Sequence, residues 1–148
     1  MATDHPKAGP NSIPAYQMSG VPYVTASAAN EVDTTPIRHD FPFVTRFFQV
    51  KNTDGDHAMR VGFSANGVSA AETKNYFLLA AGAQTDVLEL RTKTLFFRAD
   101  GGSAQASFEI IAGLTTIDSK NFPILTGSLD GRDVAYSSRT VDIFEGVG

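Results

Sequence analysis

Three histidines, His5, His39 and His57, are the side chains of this chain best suited to metal binding or proton transfer. A histidine metal centre in an all-β enzyme needs histidines clustered with a carboxylate around one ion. The three histidines show neither H-x-H nor H-x-x-x-H spacing, and we expect His39 and His57 to lie beside turns. The sequence therefore predicts no histidine-based metal site.

Two acidic residues, Asp54 and Asp56, flank Gly55 and offer the oxygen ligands that Ca²⁺ prefers. A calcium loop supplies about six or more oxygens at regular positions, whereas this stretch offers two carboxylates followed by His57. Asp-Gly is also a common pair in tight turns. The segment from Asn52 to Asp56 therefore predicts a turn and not a calcium site.

The segment GFSANG places Ser64 two residues after Gly62, as in the nucleophile elbow of serine hydrolases. That elbow requires glycine where this chain has Asn66, and a strand-to-helix turn around the serine. No Asp or His partner for Ser64 is evident. We predict a strand that ends in an Asn66-Gly67 turn. We expect a protein that is not an enzyme, with no catalytic, cofactor-binding, metal-binding or nucleic-acid-binding residues.

Composition excludes several classes of function. The chain has 148 residues, no cysteine and a net charge of −4, with no run of Lys or Arg. Nucleic-acid binders usually carry a basic stripe that displaces counterions from phosphates, so we expect no direct contact with nucleic acid. No stretch approaches the roughly 20 apolar residues of a membrane-spanning helix, so we expect no transmembrane segment.

The chain divides into an arm and one domain. Met1–Gly20 contains three prolines and is expected to form an extended N-terminal arm, because proline removes a backbone donor and cannot continue a helix. Residues 21–148 are expected to form a single domain. Short β-type runs separated by turn residues fill most of this domain.

Predicted strands lie at Val21–Ala28, Phe41–Lys51, Met59–Phe63, Asn75–Ala81, Thr85–Arg91, Lys93–Ala99, Gln105–Ala112, Leu114–Ile117, Phe122–Leu125 and Val134–Ser138. Such short strands at roughly 8–12-residue spacing predict an all-β sandwich or jelly roll. An immunoglobulin-type sandwich commonly has Cys and Trp in its core, and this chain has neither. We therefore favour a single jelly-roll β-sandwich of about eight antiparallel strands.

Two local signals refine this picture. Asp100–Ser103, with the sequence DGGS, predicts a hairpin between Lys93–Ala99 and Gln105–Ala112. Ser69 and Glu72 have the spacing of a capping box and predict one helical turn near residues 70–74.

Adjacent phenylalanines occur twice, as Phe47-Phe48 and Phe96-Phe97. In a strand such a pair places one ring on each face, so one ring of each pair points away from the sandwich interior. We expect these outer rings to be buried against a neighbouring subunit, which indicates an oligomer.

The stretch from Phe43 to Ile117 carries the segments FVTRFFQVKNT, MRVGFSANGV, NYFLLAAG, LELRTKTLFFRADGG and IIAGLTTI. It resembles the penton, or vertex, capsid proteins of large icosahedral double-stranded DNA viruses. The most specific pieces are RVGFS at 60–64, NYF at 75–77 and AGLT at 112–115. About half of the chain carries the likeness, and its motifs are structural, without a catalytic signature.

The resemblance implies a single jelly roll that forms a homo-pentamer at the fivefold vertex of the capsid. It implies major capsid proteins and minor capsid proteins as partners, and a location in the virion, assembled in the infected host cell. The arm before Val21 and the tail after Ser138 are not matched by the resemblance; they could connect the subunit to its neighbours.

Two alternatives stay open. A minor capsid or decoration protein of the same shell has hardly any feature that separates it from a penton. A jelly-roll carbohydrate-binding module would need an exposed Trp or Tyr platform. Trp is absent and the four tyrosines are scattered along the chain, which favours the capsid interpretation.

Overall fold

The structure is a computed structural model that describes residues 20–69 and 75–122. Within these residues the chain forms seven strands, one short helix and one 3₁₀ turn. The elements are β1 (Val21–Ala26), β2 (Ile37–Asp40), β3 (Phe43–Asn52), β4 (Met59–Gly62), α1 (Ala65–Ser69), β5 (Tyr76–Leu79), β6 (Thr94–Ala99), β7 (Phe108–Asp118) and the 3₁₀ turn Ser119–Asn121.

The strands form two antiparallel sheets, one in the order β1-β7-β3 and the other in the order β2-β6-β4-β5. Isolated bridges join Gln84 and Leu88 to β3, so the segment 84–88 flanks β3 on the side away from β7. The prediction of an all-β sandwich is confirmed.

The core lies between the two sheets and follows the alternation of the strands. In β6 the side chains of Leu95, Phe97 and Ala99 are fully buried, while the residues between them are half-buried. The ring of Phe97 stacks on that of Phe108 in β7, with the ring centroids 4.2 Å apart and the planes tilted by 15°. This contact joins the two sheets, and truncating either ring to alanine would cost about 3–5 kcal/mol.

Contacts across the core show which edges of the two sheets lie together. The hydroxyl of Tyr23 in β1 lies 3.1 Å from Nε2 of His39 in β2, so these two edge strands share one side of the sandwich. At the other side, Nδ2 of Asn52 in β3 donates to the carbonyls of Leu79 and Ala80, at the end of β5. The sandwich therefore has a β1 side, formed by β1 and β2, and a β5 side, formed by β5 and the segment 84–88.

The predicted DGGS hairpin is wrong. β6 pairs with β2 and β4, whereas β7 pairs with β1 and β3, so the two strands belong to different sheets. Their apolar faces meet across the core, as the stacking of Phe97 on Phe108 shows. The turn at 100–103 crosses between the sheets, and Gly101 has a φ of +124°, a region that favours glycine.

Several predicted strand boundaries also change. Gln105–Ala112 and Leu114–Ile117 were predicted as two strands, but β7 runs unbroken from Phe108 to Asp118. Gly113 does not interrupt it, because that residue pairs with Pro22 on one side and Phe47 on the other. In the segment Thr85–Arg91, Leu88 forms one isolated bridge with β3, and the segment is not a regular strand.

Other predictions concern a missed strand and residues beyond the described ranges. β2 was not predicted, because its four residues IRHD carry little apolar patterning. The predicted strand 134–138, residues 123–125 and the helical turn at 70–74 lie outside the described residues. Phe122 itself follows the 3₁₀ turn. In residues 20–69 and 75–122, no helix is long and apolar enough to cross a membrane.

Candidate assembly surfaces

The two histidines that the structure describes take different positions. His39 lies within β2 and not beside a turn, and its half-buried ring faces the core. The side chain of His57 is 47% exposed and lies 3.3 Å from the carboxylate of Asp54. His5 lies outside the described residues. No group of three or more metal-ligating His, Asp or Glu side chains occurs among the residues described.

The ring of His39 sits in an aromatic cluster at the β1 side. It contacts Phe41 edge to face at 5.1 Å between centroids, Phe108 at 6.2 Å and Tyr23 at 5.9 Å. Burial lowers the pKa of His39 below its ordinary value, and the neighbouring Asp40 carboxylate opposes this shift only in part. The uncharged imidazole is therefore the form that this cluster accommodates.

The Asp54 carboxylate is used by the turn that contains it. Its Oδ1 accepts hydrogen bonds from the amides of Asp56 at 2.8 Å and His57 at 2.6 Å. These amides lower the pKa of Asp54, because they stabilise the ionised form. The carboxylate thus closes an Asx turn, and the predicted turn at Asn52–Asp56 is confirmed.

Ser64 caps a helix. The predicted Asn66-Gly67 turn is wrong, because both residues lie in α1. A strand-to-helix turn does surround Ser64, but its side chain is only 6% exposed and its Oγ accepts from the Gly67 amide at 2.9 Å. This is the geometry of an N-cap. The cap was not predicted, because the Asn66-Gly67 pair is a common turn signal and was taken to end the strand.

The outer face of the four-stranded sheet carries a polar network and α1. The guanidinium carbon of Arg60 lies 4.6 Å from the centre of the Tyr76 ring, and Nη2 of Arg60 lies 2.6 Å from the Asp100 carboxylate. The guanidinium of Arg60 therefore covers one face of the Tyr76 ring, and the Tyr23 hydroxyl is hydrogen-bonded to His39. Neither of the two described tyrosines forms a free platform for a sugar ring. The other tyrosines, Tyr16 and Tyr136, lie outside the described residues.

The phenylalanine pairs differ from the expectation in one respect. Phe48 and Phe97 are buried, and Phe47 and Phe96 do point to the outer faces of their sheets. Both outer rings are half-buried, however, so they expose little apolar surface. The apolar surface that could join subunits is formed by other residues.

The exposed large apolar side chains of the described residues fall into two groups. The first group, the β1 patch, consists of Val24 and Ile111, with exposures of 73% and 50%. Val21, which is 38% exposed at the start of β1, pairs with the buried Leu114 and lies on the other face of the strand. Val24 and Ile111 are direct cross-strand partners and lie on the outer face of their sheet. A mixed groove of about 450 Å³ adjoins them, with Gln49, Lys51 and Glu109 at its polar end.

The second group, the β5 patch, consists of Leu78, Val87 and Leu90, with exposures of 54%, 56% and 44%. Leu78 lies on β5, the edge strand of the four-stranded sheet, and the other two lie on the segment that flanks β3. β1 and this segment are opposite edges of one sheet, so Val24 and Val87 lie at opposite edges of it. Ile111 lies on the central strand β7, and the groove beside Val24 and Ile111 also reaches Gln84 of this segment.

Two features of the sequence are consistent with these exposed surfaces, although no surface was predicted from them. The run from Val21 to Asn30 contains no charged residue, whereas natural edge strands are commonly protected by charges. In the segment Asp86–Leu90, acidic and apolar residues are interleaved. Neither feature identifies an edge strand until the order of the strands is known.

Comparison with protein-family models and with curated proteins gives no match for this chain. No protein-family model matches the sequence, and no curated protein matches it closely enough to indicate a relationship. Its function is therefore inferred from the surfaces described above and from the resemblance in its sequence motifs.

Proposed function

We propose that this chain is a structural capsid protein that forms the pentamer at the fivefold vertices of an icosahedral virion. In this role it contacts the surrounding major and minor capsid proteins and catalyses no reaction. The observation that carries the proposal is the presence of exposed apolar side chains at both edges of the three-stranded sheet, Val24 on β1 and Val87 on the segment that flanks β3.

Two separate patches fit a closed ring. A ring is built from one heterologous contact repeated around an axis, in which one surface of each subunit binds a different surface of the next. The β1 patch and the β5 patch supply two such surfaces.

The order of the strands supports a jelly roll. With the segment 84–88 included, one sheet has the order β1-β7-β3-(84–88), and it faces β2-β6-β4-β5. The chain passes from one sheet to the other at almost every connection, and its first and last described strands are neighbours. This order and these connections support the proposal of a jelly roll, a fold used by viral capsid proteins.

The mass of the native protein in solution tests the proposal. Light scattering over a range of concentrations should give a species of five times the 15.8 kDa chain mass. A stable trimer would instead favour a minor capsid or decoration protein. A monomer at every concentration would contradict a ring that closes through the subunit's own contacts.

Charged substitutions test the role of each patch. Val24→Asp in the β1 patch and Leu78→Asp in the β5 patch should each abolish the ring, because a desolvated carboxylate at a contact is costly. Ser103→Asp, at an exposed position in the turn after β6, is the control and should leave the ring intact. If only one patch variant impairs assembly, the contact is not heterologous and the ring proposal is wrong. Circular dichroism establishes that each variant is folded.

A further inference from the structure

The pair Asn66-Gly67 has the residue types that are most prone to spontaneous deamidation. It is the only Asn-Gly pair among the 148 residues, and Asn66 is exposed to water. In this reaction the backbone nitrogen of the second residue loses its proton and attacks Cγ of the asparagine. A C–N bond forms, ammonia leaves, and water then opens the succinimide to aspartate or isoaspartate. Glycine in the second position favours the attack, because no Cβ hinders the approach.

The fold holds the attacking nitrogen in a hydrogen bond. The Gly67 amide donates to Oγ of Ser64 at 2.9 Å, and both residues are buried. A buried N–H that already has an acceptor is difficult to deprotonate, because its nitrogen would become an anion shielded from water. Asn66 also lies within α1, and the five-membered succinimide ring fixes the ψ of asparagine outside the helical range. The reaction is therefore strongly disfavoured while α1 is intact.

The contacts around Gly67 leave no room for a small local shift that would bring the reacting atoms together. A Cβ built on Gly67 would lie 2.8 Å from the Asn75 carbonyl oxygen and 3.0 Å from Oγ of Ser64. The next residue is also held, since Nη1 of Arg60 donates to the Val68 carbonyl at 3.2 Å. The Gly67 nitrogen can therefore reach the asparagine side chain only when α1 opens as a unit.

We infer that the Ser64 cap protects Asn66 from deamidation, and that Asn66 becomes a modification site when α1 opens. Isoaspartate at this position would insert an additional methylene group into the main chain of α1. The hydrogen bonds of a helix depend on regular spacing along the chain, so the modified segment would not close again. A reversible opening of α1 would thus become permanent.

Mass spectrometry of proteolytic peptides measures deamidation at Asn66 during incubation at mildly alkaline pH. Ser64→Ala should deamidate at least about fivefold faster than the unmodified protein, the change in opening that loss of a cap typically produces. Ser69→Ala is the matched control, because Ser69 is exposed and its Oγ donates to the Ala65 carbonyl. It should change the rate by about twofold or less. Circular dichroism first establishes that each variant is folded.

A further variant separates the opening of α1 from unfolding of the whole domain. Asn52→Ala weakens the fold at the Leu79 end of β5, where Nδ2 of Asn52 donates to backbone carbonyls. It should leave deamidation at Asn66 unchanged while the protein stays folded. An acceleration equal to that in Ser64→Ala would overturn the inference, because global unfolding would then control the reaction.

Two measurements on the unmodified protein complete the test. Hydrogen exchange at the Gly67 amide should be slow, and deamidation at Asn66 should become much faster in denaturing urea. Equal deamidation rates in the folded and the denatured protein would overturn the inference. A Ser64→Ala rate equal to that of the unmodified protein would overturn it as well, because the cap would then give no protection.

Discussion

The hydroxyl of Tyr23 and Nε2 of His39, 3.1 Å apart, form a polar link between the edge strands of the two sheets at the β1 side. Tyr23 lies on β1, and His39 lies on β2 of the facing sheet. The link is surrounded by the rings of Phe41 and Phe108. The protonation state of His39 should therefore affect the stability of the sandwich.

Stability is expected to fall as the pH is lowered from 7.5 to 5. Burial depresses the pKa of folded His39 below 6.5, so the unfolded chain binds this proton more readily than the folded chain does. The contribution of His39 is fully present above about pH 6.5 and is lost as the pH falls towards its folded pKa. The pKa values of Asp40 and Asp54 are lowered from 3.8, so the stability that these carboxylates contribute is lost only at lower pH, as the pH falls below about 3.8.

Urea unfolding at a series of pH values measures this effect. His39→Gln should flatten the dependence between pH 7.5 and 5. An unaltered pH dependence in the His39→Gln variant would show that another group is responsible.

Gly62→Val should destabilise the fold and reduce assembly. A Cβ at Gly62 would lie 2.8 Å from Cγ1 of Val68 and 3.1 Å from the Asn75 carbonyl oxygen, so this position has no room for a side chain. Valine adds still more atoms at that point, and we expect a loss of about 1–3 kcal/mol or more. The free energy of unfolding from urea titration is the measurement.

Two comparisons make this test specific. Gly55→Ala, where a Cβ meets nothing within 4 Å, should change stability by about 0.5 kcal/mol or less. Gly62→Ala should cost less in a Val68→Ala background than in the unmodified chain, because Cγ1 of Val68 is then absent. Equal costs in both backgrounds would mean that the contact with Val68 is not the cause.

Asn52→Asp should destabilise the protein more than Asn52→Ala does. The side chain of Asn52 is fully buried, and Nδ2 donates to the carbonyls of His57 at 2.8 Å, Ala80 at 3.2 Å and Leu79 at 3.3 Å. Alanine leaves these carbonyls without this donor, at a cost of about 1–3 kcal/mol. Aspartate places a second acceptor against them and buries a charge, which costs more.

Thermal or urea unfolding at pH 7 compares the two variants. Asn30→Asp, the same change at an exposed turn residue, is the control and should have little effect. Equal stability of the Asn52→Asp and Asn52→Ala variants would contradict the role given to the donated hydrogen bonds.

Local patterns were sufficient for much of the secondary structure. In β4 the apolar Met59 and Val61 point to the core, as their alternation with polar and small residues predicts. The β-branched and aromatic run of β3 forms a strand, and the Asp-Gly pair at 54–55 forms a turn. These features depend on residues close together in the chain, so the sequence alone could predict them.

The candidate site was less predictable, because exposure depends on which strands are at the edges. The histidines and Asp54–Asp56 lack the spacing of a metal site, so the sequence predicted no site there. The outer rings of the phenylalanine pairs indicated self-association, but these rings are half-buried. Val24 and Val87 have the same apolar character as the buried Val61, and only their places in the sheets distinguish them.

The sequence by itself determined the all-β class, the main strands and the turn at Asn52–Asp56, because alternation and turn chemistry act over a few residues. Only the tertiary structure decided that β6 and β7 belong to different sheets, that His39 faces the core, and that the exposed Val24 and Val87 lie at opposite edges of one sheet. Those properties follow from pairing between segments far apart in the chain, such as β1 with β7. Such pairing is set by how the whole chain buries its apolar faces, and a local pattern does not specify it.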